Sequence, residues 1–141
     1  MDKKAVIISF KGTQYNGFEK DKVELLTPGA FYKKDEHYYV TYDESTLTGM
    51  DGTTTTLKIE DNKKITMMRY GTNNTQLVFE KGQNHVCCYE TEFGSFTVGV
   101  RSQNVSVDLN EGGGEISANY MLEVDNALVG VNDFYMKIQA Q

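Results

Sequence analysis

The feature that most constrains this chain is a period of two in its apolar residues, interrupted at short intervals by turn-forming residues. Val6, Ile8 and Phe10 share a face, as do Tyr38, Val40 and Tyr42, and Leu57 with Ile59. Phe96, Val98 and Val100 continue beyond Gln103 to Val105, Val107 and Leu109, and Ile116, Ala118, Tyr120, Leu122 and Val124 follow. Successive side chains of a strand point to opposite faces, so this spacing makes half-buried strands. No run of eleven residues has helical spacing, which predicts a helix content below roughly a tenth.

The breaks between runs carry the residues that tight turns need. They include Tyr15-Asn16-Gly17, Thr27-Pro28-Gly29, Lys34-Asp35-Glu36, Met50-Asp51-Gly52, Asp61-Asn62-Lys63, Gly71 to Asn74, Lys81 to Asn84, Phe93-Gly94, Glu111 to Gly114 and Asp125-Asn126. Gly and Asn tolerate positive φ, and Asp bonds its own neighbouring backbone. Pro28, the sole proline, is read as a turn residue, where it removes no ladder bond. About eight to ten strands in simple succession predict one all-β domain over residues 1–141, an antiparallel up-and-down meander that closes into a barrel. A two-sheet sandwich is the rival arrangement. There is no internal repeat and no linker.

Charge and cysteine usage restrict partners and compartment. A net charge of −6 over 141 residues argues against nucleic acid or an anionic membrane surface, both of which need clustered Lys and Arg. Cys87 and Cys88 are adjacent and point to opposite strand faces, so they suit neither a mutual disulfide nor a shared metal. Unpaired thiols fit a reducing compartment, and no run is apolar enough for a signal peptide or membrane span, so a cytoplasmic protein is expected.

Several short segments together resemble the YwiB-like proteins. They are Phe31-Tyr32 before the aromatic strand Tyr38 to Tyr42, Met68-Arg69-Tyr70-Gly71, Tyr89 to Gly94, and Gly114-Glu115-Ile116-Ser117 leading to Tyr120. The resemblance implies a small bacterial cytoplasmic protein of unknown function with a calycin-like, lipocalin-type barrel, and it implies no catalytic or binding residue. The N-terminal strand departs from it, reading as short with a long link to the second strand.

Chemical constellations are weak. His85 and Cys87 share a strand face as a partial zinc site, which needs His37 or a carboxylate from elsewhere; no metal and no cofactor is expected. The 20 acidic residues cluster at turns, where carboxylates are cheaply solvated. There is no Gly-x-Ser-x-Gly elbow, no base beside either thiol, and no Lys-Ser/Thr after the flexible glycine hairpin at 112–114. An enzyme is therefore the least supported class.

Arg69 is the most informative residue. It shares parity with Ile65 and Met67, so its guanidinium follows an apolar stripe. Three placements are open: a strand-end arginine reaching solvent, an internal ion pair, or an anchor at the barrel mouth for an anionic ligand group. Nine tyrosines and no tryptophan give walls that can turn hydroxyls inward. A ligand site would then combine Arg69 with Tyr89 or Tyr120, and with Tyr42, and Arg69→Met would weaken binding without unfolding the domain.

Two functional classes lead: a barrel binding a small apolar or amphipathic molecule, or a self-filled barrel acting through its outer wall. The interior volume separates them. Runs apolar on both faces, Val6-Ile7-Ile8, Met67-Met68 and Phe134-Tyr135-Met136, add the expectation of a homodimer.

Overall fold

The computed structural model describes residues 3–15, 19–44, 51–71, 74–91, 94–125 and 127–141; the side chains of 89–91 lie outside that description. Ten strands follow in chain order: β1 (Lys4–Tyr15), β2 (Lys20–Lys34), β3 (His37–Asp43), β4 (Thr53–Glu60), β5 (Lys64–Gly71), β6 (Thr75–Glu80), β7 (Asn84–Thr91), β8 (Gly94–Asn110), β9 (Gly113–Val124) and β10 (Ala127–Ala140). All neighbours pair antiparallel in the order β6-β5-β4-β3-β2-β1-β10-β9-β8-β7. The chain is thus a nearly closed meander barrel with no helix among the described residues, and hence none able to cross a membrane.

The two ends of the sheet, β6 and β7, are joined by a tight turn but share no ladder. Side chains and the turn backbone bridge the seam instead. The Cys87 thiol donates to the Gln76 carbonyl, and His85 Nε2 lies 3.0 Å from Glu80 Oε1. Gly82 N–H donates to the Ser102 carbonyl at 2.9 Å, and Glu80 N–H to Ser102 Oγ at 3.2 Å. The register of β8 slips between Ser102 and Asn104. This bulge shifts the inward set from even to odd positions, so that Val98 and Val100 before it are in the core and Val105 and Val107 after it, half-buried, pack against it.

Three expectations are corrected. Thr27-Pro28-Gly29 is no turn: it lies inside the 15-residue β2, with Pro28 opposite Ile7 of β1. The ladder of β2 with β3 begins only at Ala30, so a proline at 28 removes no bond from it. The N-terminal strand is long, not short; β1 pairs with β2 over its whole length and with β10 from Val6 to Tyr15. The glycine run is also not a flexible loop. Gly113 and Gly114 start β9 at φ of 119° and 141°, and a Cβ on Gly114 would lie 2.0 Å from the Asp108 carbonyl oxygen. Only glycine allows the strands to approach so closely there.

Inside, the barrel is unequal. One half is packed solid by Val6, Ile8, Phe31, Val40, Leu57, Ile59, Ile65, Ile116 and Ile138, each at most 2% exposed. The double-sided apolar runs divide as the pleat requires: Val6, Ile8, Met67, Phe134 and Met136 are buried, while Ile7, Met68 and Tyr135 are half-buried.

Candidate functional site

The other half of the interior carries the polar groups. Tyr42 of β3 stands opposite Thr55 of β4, Thr55 opposite Arg69 of β5, and Arg69 opposite Thr75 of β6. Across the barrel, Asn132 of β10 pairs with Gln14 of β1 and with Tyr120 of β9. These positions share inward parity, so the ladders alone bring them to one end. Thr55, Thr75, Asn132 and Glu44 are all buried polar residues, and they belong to this end rather than to the packed half.

Arg69 takes the internal placement. Its side chain is 15% exposed, and its Nε lies 3.9 Å from Oε1 of Glu44, whose side chain is 1% exposed. The same Glu44 oxygen accepts from Thr55 Oγ1 at 2.6 Å. Tyr42 also bonds Glu44; burial first, then the Glu44 charge, pushes its phenol far above the usual tyrosine range. Burial likewise raises Tyr120, and the Arg69 charge partly opposes that rise. Both hydroxyls therefore stay neutral at physiological pH and serve as hydrogen-bonding groups rather than as bases.

Around these residues lie two adjoining cavities that share Gln14, Arg69, Leu77, Tyr120 and Asn132. One, of about 210 Å³, is bounded by Tyr42, Glu44, Asp133 and the exposed Asp21. The other, of about 390 Å³, is bounded by the apolar side chains Phe96, Val98, Leu122 and Val124. Tyr120, which borders both, belongs to an aromatic cluster in which Phe79 meets Tyr120 edge-on at 4.7 Å and Phe134 at 5.2 Å. Phe96, 37% exposed, and Val23, 36% exposed, lie towards solvent. Two residues at the junction carry buried donors that have no acceptor among the described residues: Arg69 at Nε–H and Asn132 at Nδ2.

Of the four site residues expected from sequence, Arg69, Tyr42 and Tyr120 line one cavity. Tyr89 is on β7 opposite Phe96, and its side chain lies outside the described residues. Asn132 and Glu44 were missed. Asn132 carries a legible signal, as a polar residue in step with the apolar Phe134, Met136 and Ile138, whereas Glu44 reads as one more acid beside a turn. The histidine and cysteine reading resolves into the β6–β7 seam, and no group of three metal-binding side chains converges among the described residues.

Ten antiparallel strands around a half-filled interior place the molecule among meander barrels with an internal cavity, an architecture able to hold one small ligand. Residues 8–136 match the domain-of-unknown-function family DUF1934, and the chain belongs to that family. It is similar in fold to the crystal structure of the ywiB protein from Bacillus subtilis, at 20% identity and a TM-score of 0.87, over 99% of this chain and 93% of that one. No curated protein matches the chain.

Proposed function

We propose that this protein is a small-molecule-binding barrel that takes an amphipathic ligand into the cavity beside Arg69, Asn132 and Tyr120. The observation that carries the reading is the asymmetry of the interior. One half is filled by apolar side chains, while the other leaves space lined by an apolar wall and by Arg69 and Asn132, each carrying a buried donor without an acceptor among the described residues. Leaving a buried donor unmet costs about 1–3 kcal/mol, so a filled, self-contained core has no use for this arrangement. An apolar pocket with a few convergent polar groups is the usual form of a ligand site.

Filling the apolar lobe tests this directly. Leu122→Trp should remove binding of Nile red, followed by its fluorescence, while the circular dichroism stays that of a β protein. Dye binding unchanged in that variant would place the dye elsewhere and sink the proposal.

Self-association is a second reading, supported by the outer wall next to the same end. Tyr15 pairs with Val131, and these two, with Leu128 and Val129, are exposed apolar residues of β1 and β10. A two-fold dimer would cover such a surface on both copies. Light scattering at micromolar concentration should give twice the 15.9 kDa chain mass, falling towards one chain in Leu128→Lys. A mass of one chain at every concentration rejects the dimer.

A further inference from the structure

Resting on the cavity being a ligand site, we infer that its ligand presents a neutral carbonyl-type head, such as an amide, rather than an anionic one. The head lies at the junction of the two lobes and the apolar body runs between Leu122 and Val124. The two unmet donors set the first requirement. Arg69 and Asn132 line both lobes, and each carries a buried donor without an acceptor among the described residues, so an acceptor oxygen at the junction is what these two side chains lack.

Charge sets the second requirement. An anion facing Arg69 is one of the placements open to the sequence, but the guanidinium already stands 3.9 Å from the buried carboxylate of Glu44. An acceptor bonded to Arg69 Nε is therefore close to Glu44 as well, and the attraction of one is offset by the repulsion of the other. Two further carboxylates, Asp133 and the exposed Asp21, border the same lobe with no second cation among the residues lining it. The Asp133 charge is felt as far as the Tyr120 hydroxyl. One guanidinium against three carboxylates disfavours a bare carboxylate or phosphate, while a neutral carbonyl keeps both hydrogen bonds without that penalty. A cationic amine supplies no acceptor and leaves the two donors as they were.

The third requirement is length. The apolar lobe of about 390 Å³ begins at the same Arg69, Tyr120 and Asn132 and ends at Phe96 towards solvent. A single unbranched or aromatic body extending from the carbonyl fits that course.

Calorimetric titration of the full chain with octanamide, octanoate and octylamine at neutral pH separates the cases, since the three share one apolar body. Octanamide should bind at least about tenfold more tightly than octanoate or octylamine. Asn132→Leu should weaken octanamide about tenfold, the equivalent of one hydrogen bond, while leaving the urea midpoint equal to or above that of the wild type. Stability retained with binding lost is the mark of a residue kept for a ligand, because a structural asparagine would lose both. Octanoate binding as tightly as octanamide overturns the head-group inference and leaves the barrel reading intact. So does failure of all three probes when Nile red still binds. Failure of all three together with Nile red removes the ligand-site reading, and this inference with it.

Discussion

Arg69→Met should destabilise the domain by about 3–5 kcal/mol, read as a fall in the urea midpoint with an unchanged denaturant slope. The cause is not the lost arginine itself but the charge it leaves behind. Glu44 is 6% exposed, and the Arg69 guanidinium faces it at 3.9 Å. Removing one member of a buried pair leaves the charge of the other less compensated in a medium that solvates it poorly. Thr55 and Tyr42 still donate to Glu44, which limits the loss without cancelling the charge. The double variant Arg69→Met with Glu44→Gln should recover most of the stability, because an amide in that place keeps hydrogen bonds and carries no charge. A single variant within about 0.5 kcal/mol of the wild type would mean that the guanidinium reaches solvent and that the pair carries no weight. With that expected loss of stability, Arg69→Met is a poor probe of binding alone. Asn132→Leu is the cleaner probe of the site.

The second large effect is expected at Phe79, whose replacement by Ala should cost about 3–5 kcal/mol. Phe79 is fully buried on β6 and touches Tyr120 and Phe134 through edge-on contacts. Strand β6 is an end of the sheet, joined to β7 through side chains and turn backbone, so packing rather than a ladder holds this wall against β9 and β10. Truncation removes the transfer energy of the ring and leaves a void beside Tyr120 that rigid strands close only in part. Leu26→Ala serves as the control. Leu26 is a large apolar residue that is 73% exposed, and its loss should stay within about 0.5 kcal/mol. Equal effects in urea titrations of the two variants would contradict the buried, closing role of Phe79.

The inward face of each strand was legible in the sequence because pleating is local. A side chain's face depends only on its parity within its own strand, so Val6, Ile8, Val40, Leu57, Ile116 and Tyr120 could be assigned to the interior without knowing what lay across it. The same rule put Arg69 in line with Ile65 and Met67, and that is where it stands. Parity failed where the backbone departs from a regular strand. The bulge at Gln103 is invisible until β9 fixes the register on both sides of it. Thr27-Pro28-Gly29 has turn chemistry, yet pairing with β1 from Lys4 to Tyr15 holds it extended, a non-local constraint that outweighs local preference.

What crosses the barrel was decided by tertiary structure alone. Glu44 and Arg69 are 25 residues apart, and Asn132 is further still from both; nothing in the spacing of either announces the other. They meet because β3, β4 and β5 are in one register and because β10 faces them once the sheet curls round to the β6–β7 seam. Whether the interior is full or hollow is settled in the same way. The sequence determines which side chains turn inward, but the space left among them depends on how far the ten strands tilt and stagger as they close, a property of the whole sheet that no single strand contains.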